Sequence, residues 1–447
     1  MRSSGSRARM PTPDDADVTS PAFVAALAST DPADLLPDRS QARAASLTGD
    51  VRVLDVLDLG HDAAGRPAGV AVVRIGDRDV IAPGYVDGGA FHRDPAVASL
   101  LRSGEQGAFE VEVMGGGIPS RDAVALDVDQ SNDSVLLGDV MVKWQLDAAP
   151  SPAPARLRVL AGSDTVPPVR AIVGWRRADG VRCTVLTAAD ALPDATDGWT
   201  WAVELVRAHV RGEDVDAITP FARIGAMAAR MHVALAGSGI STWASADVAR
   251  LQAACLADLE EAAVTVDGAE GDRLRGRRAR LEHVLTGLDG IESTPVIDIH
   301  GDLHIGQVLS SPLPDGGTRL AFVDFDGNPV LSPEERSARQ PAARDVAGML
   351  ASIDHVARVV NHRTPGLDPG PARAWIPIAQ GAFIDAYQSV LSGAGLSDLL
   401  DERLLPALMI DQEVREYLYA VRYLPHWTYV PDAVLTELFP DDAARES

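Results

Sequence analysis

Residues 296–309 read VIDIHGDLHIGQVL. An apolar run stops at His300-Gly301-Asp302, resumes through His304, and then places Gln307 where the pattern asks for an apolar residue. A carboxylate and a carboxamide so placed could accept the proton of a hydroxyl and hold a hard cation. The chain continues VLSSPLPDGGTRLAFVDFDGNP, in which Asp315-Gly316 signals a hairpin. A two-residue turn centred there would set Gln307 opposite Asp324, two oxygen ligands on neighbouring strands, with Asp302 on the loop just before them. Such donors suit Mg²⁺ held partly by a substrate's phosphates, and a nearby carboxylate can take the proton of an attacking hydroxyl. Those are the parts of a phosphoryl-transfer site.

A second signal is Lys143, the only lysine in a chain whose other 39 strongly basic residues are arginines. It sits within VLLGDVMVKWQL, inside an apolar strand-like run. Burying an ammonium is costly unless it meets an anion. In a phosphoryl-transfer lobe that anion is the α/β-phosphate of a nucleotide.

The elements that must position these groups fall into two kinds. From about 50 to 115, VRVLDVLDLG, AGVAVVRIGDRDVIAPG and AFEVEVMGGG alternate or run apolar between Gly/Asp turns, as strands do. Gly115-Gly116-Gly117 has no GxGxxG spacing and reads as a linker or hairpin. ALDVDQSNDSVLLGDVMVKWQL and AIVGWRRADGVRCTVLTAA extend the strand-like region. From about 199 the period becomes helical, as in ARIGAMAARMHVALA and ARDVAGMLASIDHVARVV, interrupted at 296–330 by two short strands. The expected organisation is a disordered N-terminus at 1–20, a β-rich cap at 21–116, a small antiparallel β lobe at 117–205 and a helical lobe at 206–447. The class is α+β. His232, in AARMHVALA, reads as a packed helix residue.

HGDLHIGQ followed by VDFDGNP resembles the catalytic and metal-binding segments of the aminoglycoside-phosphotransferase-like kinases. QSNDSVLLGDVMVK, ATDGWTWA and RDVAGMLASID carry the likeness further, toward the actinobacterial maltokinases and their relatives, the glucosamine kinases. The resemblance covers most of residues 50–440 and implies a bilobal protein-kinase-like fold using ATP and Mg²⁺. It makes Asp302 the catalytic base, Gln307 and Asp324 the Mg²⁺ ligands, and Lys143 the holder of the α/β-phosphates. Ser131, Asn132, Asp133 and Ser134 would cover the phosphates in a hairpin, and 184–190 would be the hinge beside adenine. His300 and Asp345 would support the catalytic turn, which His304 would help to order. Such kinases pair the strand lysine with a glutamate on the following helix, but here SPAPARLRVLAG holds only arginines.

Maltokinases read close to FEGEP where this chain has Phe325-Asp326-Gly327-Asn328-Pro329, and they carry a lysine on a late helix that is absent from EVREYLYAVRYLPHW. Glu416 and Trp427 keep a matching glutamate and tryptophan. The resemblance therefore implies glucosamine as acceptor, on its 6-hydroxyl, with Asp302, Glu416 and Trp427 around the sugar. Maltose, an aminoglycoside, or a nucleotide-binding pseudokinase are the alternatives.

Composition excludes other classes. A net charge of −24 argues against nucleic acid or an anionic membrane as partner and agrees with a cationic small substrate. No apolar run approaches the ~20 residues of a membrane helix. MRSSGSRARMPTPDD is followed by no apolar segment of a secretory signal. Cys183 and Cys255 show no metal or redox spacing, so a reduced, cytoplasmic setting is expected.

Overall fold

The computed structural model describes residues 21–37, 49–126 and 132–440. The N-terminal stretch 1–20 and Ser131 lie outside them. The chain divides into two compact units, one running to Pro154 and resuming at Pro168–Ala191, the other made of Ala155–Pro167 and the chain from Leu192. The class is α+β: strands dominate the first unit and helices the second.

The first unit begins with helix α1 (Pro21–Ala28) and is otherwise built on a sheet of eleven strands among the described residues. These are β1 (Arg52–His61), β2 (Pro67–Ile75), β3 (Arg78–Asp87), β4 (Ala90–Arg93), β5 (Gly104–Gln106), β6 (Phe109–Val113), β7 (Ala123–Ala125), β8 (Asn132–Leu137), β9 (Val140–Ala149), β10 (Val169–Arg176) and β11 (Arg182–Asp190). The main path runs β1-β2-β3-β9-β11-β10-β6-β5. The residues expected to form a separate cap thus share a sheet with those expected to form the β lobe. Val80 of β3 pairs with Asp147 of β9, and β6 pairs with β10. Phe23 and Leu27 of α1 cover one face, packed with Val73, Val80 and Phe91.

Strand β9 alternates strictly between buried and half-buried positions, as VMVKWQLDAA should on a sheet with one face in the core. Val142, Trp144 and Leu146 point into the core, and the Trp144 indole N–H donates to the Pro95 carbonyl at 3.3 Å. Lys143 lies on the other face, in register with Ser134 of β8 and Thr187 of β11. Directly opposed residues share a face, so Ser134, Lys143 and Thr187 form one row across three strands. Asn132, Asp133 and Ser134 lie in strand β8 and are buried, while the β8–β9 turn is made by Gly138-Asp139, with Gly138 at φ +62°. Asp133 pairs with Arg93 at 2.6 Å.

The second unit carries helices α2 (Ala153–Leu160, shared across the division), α3 (Gly198–Val210), α4 (Thr219–Ala236), α5 (Ser245–Thr265), α6 (Gly268–Leu285), α7 (Pro333–Ser337), α8 (Ala343–Arg363), α9 (Gly370–Gly393), α10 (Leu405–Tyr423) and α11 (Tyr429–Leu438). Two short hairpins sit among them, β12 (Ser241–Ala244) with β13 (Ser293–Val296), and β14 (Val308–Pro312) with β15 (Thr318–Phe322). Helix α8 is the axis of the unit, with sixteen of its 21 residues buried. Two glycines let helices touch the 303–306 backbone. A Cβ on Gly198 of α3 would lie 1.6 Å from the Ile305 carbonyl oxygen, and one on Gly348 of α8 would lie 2.7 Å from that of Leu303.

Trp144→Ala removes the largest side chain under the Lys143 strand. It is expected to destabilise the first unit by about 3–5 kcal/mol, measured as a shift of its denaturant midpoint.

Candidate functional site

Strand β14 and β15 bring the two expected metal-ligand segments side by side, but one residue out of the anticipated register. The pairing runs Val308↔Phe322 to Pro312↔Thr318, and the Val323 amide donates to the Gln307 carbonyl at 3.0 Å. Gln307 therefore faces Val323, and Asp324 lies one residue beyond. The cause is the turn, which is a five-residue loop and not a two-residue one. Leu313 N–H donates to Gly317 O at 2.8 Å, Gly316 N–H to Leu313 O at 3.0 Å, and Gly316 takes φ +84°. Pro314 suits the second position of such a turn and Gly316 its left-handed exit. Asp324 has a left-handed backbone, φ +65°, one of two such non-glycine residues among those described. Aspartate tolerates that conformation better than most residues do, and here it lies just past the end of β15.

The turn before the hairpin is held from the core. Asp345, buried in the first turn of α8, accepts the His300 amide at 2.7 Å and the Gly301 amide at 2.9 Å. His232 of α4 lies 3.0 Å from the same carboxylate, and its other ring nitrogen lies 2.6 Å from the Tyr387 hydroxyl. Burial works against the Asp345 charge, but the hydrogen bond and charge of His232 and the Gly301 amide outweigh it and lower the pKa. On the other side the Arg156 guanidinium donates to the carbonyls of His300 at 2.9 Å, Phe325 at 2.8 Å and Arg336 at 2.7 Å. Burial pulls the Arg156 pKa down to about 10, against the pull of Asp345, Asp298 and Asp326. The His300 ring closes the set, its Nε2 2.9 Å from the Val323 carbonyl oxygen. Pattern marks His232 only as a packed helix residue and gives Arg156 no role, because their partners are distant in sequence.

Asp302 and His304 line a cavity of about 920 Å³ that lies wholly within the second unit, together with Trp199, His355, Glu416 and Trp427. Burial raises the Asp302 pKa to about 7; His300 opposes the shift, while Asp324 and Glu416, both like charges, add to it. A carboxyl poised there is a competent general base near neutrality. Glu416 on α10 is held at both oxygens, accepting from the Gln412 amide at 3.1 Å and the Trp427 indole N–H at 2.9 Å. Behind it, His355 of α8 meets both oxygens of Glu413 at 2.9 and 3.0 Å. Burial opposes the imidazolium, but Glu413 prevails and lifts the His355 pKa to about 9. His304 accepts the Gly306 amide at Nδ1 (3.0 Å) and faces Trp199 with ring centroids 6.3 Å apart.

An acid-bearing turn clamped from the core, with oxygen donors on the hairpin that follows, defines an α+β phosphotransferase. No family model matches the chain. It is 44% identical over 434 residues to the glucosamine kinase of Streptacidiphilus jiangxiensis, covering 93% of this chain and 97% of that one. It is 41% identical over 327 residues to the glucosamine kinase of Mycolicibacterium smegmatis, covering 71% and 79%. A solved structure of a glucosamine kinase in complex with glucosamine, ADP and inorganic phosphate matches with a TM-score of 0.82 at 41% identity, over 94% of this chain and 100% of that one. The chain belongs to the glucosamine kinase family.

Two outcomes follow from the geometry. Arg156→Met keeps the stem but removes three donors to buried carbonyls. It is expected to cost about 2–4 kcal/mol and to lower turnover with it, while Arg156→Lys, lacking the planar fork, does not restore either. Thermal melts and initial rates check both. In the free enzyme kcat/KM is expected to rise about tenfold per pH unit up to about pH 7, as Asp302 ionises, and then level. Glu416→Gln removes a like charge, so the break should move to lower pH in the measured profile.

Proposed function

We propose that this chain is an ATP-dependent glucosamine kinase that transfers the γ-phosphoryl group to the sugar's 6-hydroxyl. The observation that carries the acceptor is the pair of carboxylates, Asp302 and Glu416, on one cavity, with Trp427 both lining it and holding Glu416. A neutral sugar gives two such acids only hydroxyls, whereas an amino sugar brings an ammonium that makes charge-assisted hydrogen bonds. Membership of the glucosamine kinase family supports the same acceptor. The architecture is read as a bilobal kinase whose small lobe is extended by an N-terminal β-rich cap.

The reaction is a direct in-line displacement with no covalent enzyme intermediate. Asp302 orients the acceptor hydroxyl and takes its proton as the new oxygen–phosphorus bond forms and the bond to ADP breaks. The turn that carries it is held at both amides and one carbonyl, so the carboxylate needs little reorganisation during the step. Gln307 and Asp324 offer hard oxygens of the kind Mg²⁺ takes, and among the described residues no set of three His, Cys, Asp or Glu could hold a metal unaided. A cation held there would be shared with the substrate's phosphates and would neutralise their charge. Lys143 is assigned to the α/β-phosphates, with Ser134 beside it in the same row. His300 and Asp345 support the turn.

A coupled ATP-consumption assay over a sugar panel tests the reading. Glucosamine is expected to exceed glucose in kcat/KM by about 10- to 150-fold, the worth of one charged hydrogen bond of ~1.5–3 kcal/mol. Asp302→Asn is expected to lower kcat by about 10²–10⁴. Turnover of maltose and none of glucosamine would overturn the acceptor, and an unchanged rate in Asp302→Asn would overturn the base.

A further inference from the structure

The cavity is too large for the acceptor that defines it. Glucosamine fills roughly 200 Å³, the share of six or seven waters at ~30 Å³ each, whereas the cavity measures about 920 Å³. Its extra room has a direction. Gly348, Ser352, His355, Val359 and His362 of α8 all line it, at steps of four, three, four and three residues. That spacing is one face of one helix. At 1.5 Å per residue the lined face is about 21 Å long.

One end of this face is the reacting end. Ser352 Oγ accepts the Ile305 amide at 3.0 Å, and Gly348 abuts the Leu303 carbonyl, so the first two positions sit against the segment that follows Asp302. The far end is His362, whose ring stacks on Tyr429 at 3.9 Å between centroids and 19° between planes. Between them runs an unbroken series of ring contacts. His304 faces Trp199, Trp199 meets Trp427 edge-on at 5.5 Å, and Trp427 meets Tyr429 at 6.1 Å. Every ring in that series lines the cavity. One hexosamine held by Asp302 and Glu416 reaches Trp427, which leaves the Tyr429–His362 end uncovered. Aromatic faces with a polar edge, in a cleft this size, suit the apolar face of a sugar ring and its hydroxyl rim.

We propose that the acceptor cleft has a second subsite, walled by Tyr429, His362 and Val359, and that it takes a second pyranose linked glycosidically to the amino sugar. The substrate class is then amino-sugar glycosides, with the ring at Asp302 phosphorylated and the linked ring lying along α8. The glycosidic bond takes no part. The chemistry is the same transfer, with one oxygen–phosphorus bond made, one broken to release ADP, and the proton passed to Asp302. The inference rests on the glucosamine-kinase reading for its first subsite only.

The test compares the β-1,4-linked glucosamine disaccharide with free glucosamine, using the wild type, His362→Ala and Tyr429→Ala. In the wild type the disaccharide is expected to have a kcat/KM at least equal to that of glucosamine. Each variant is expected to lose about three- to tenfold on the disaccharide, the worth of one ring contact, and less than about twofold on glucosamine. His362 is exposed, so its removal leaves the fold intact. A disaccharide kcat/KM below that of glucosamine, or equal losses on both substrates in both variants, would overturn the second subsite. Wild type active on the disaccharide but not on glucosamine would remove free glucosamine as acceptor and leave the subsite standing. Activity on neither would remove both.

Discussion

The peptide between His300 and Gly301 is gripped by opposite charges on its two sides, and the rest of the site depends on that grip. Asp345 takes the two amide protons, and Arg156 donates to the His300 carbonyl. Neither ion is balanced by solvent. Each is buried, and each has hydrogen bonds that replace the water it lost. His232 and Tyr387 continue the line behind Asp345, while the carbonyls of Phe325 and Arg336 fill the fork of Arg156. Because Arg156 reaches Phe325, it also ties the turn bearing Asp302 to the segment just past Asp324. The turn bearing Asp302 and the segment bearing Asp324 are thus fastened to one guanidinium.

A second constraint sets the acceptor side. Glu416 has both oxygens occupied before any substrate arrives, by Gln412 from its own helix and by Trp427 from the short helical turn after it. The acid is therefore aimed, not free to rotate. Behind it His355 and Glu413 form a buried pair, in which, against the cost of burial, the carboxylate lifts the imidazole pKa to about 9. On the facing side, burial and the like charges of Asp324 and Glu416 hold the Asp302 pKa up at about 7, against the pull of His300.

Much of this was legible in the sequence because it was local. HGD at the end of an apolar run, the hairpin after it, and the switch from period two to period 3.6 are all visible within a few residues. The hairpin was misjudged by one position. Asp-Gly suggests a two-residue turn, but Pro314 and Gly316 together make a five-residue one, and a single residue changes which side chains face each other. The resemblance puts Ser131 to Ser134 in a hairpin, and Asn132 to Ser134 do lie in one strand of the β8–β9 hairpin. In the fold their polar groups are used inside a strand, Asp133 on Arg93. Pattern places His232 as a packed helix residue but does not reach what Arg156 or His232 holds. Their roles come from partners 144 and 113 positions away, a separation that leaves no local periodicity to read.

The helix after the lysine strand shows how a missing residue can mislead. The resemblance implies a glutamate there, and SPAPARLRVLAG holds none. The helix carries Arg156 instead, whose two terminal nitrogens donate to three carbonyls around the turn that bears Asp302, while its Nε meets no partner. An acid at position 156 could not make those bonds, since a carboxylate accepts and does not donate. In this chain Lys143 is steadied by its strand instead, between Ser134 and Thr187 on one face and with Trp144 anchored in the core on the other. The helix thus serves the turn that carries Asp302 through Arg156, while Lys143 takes its place from the sheet.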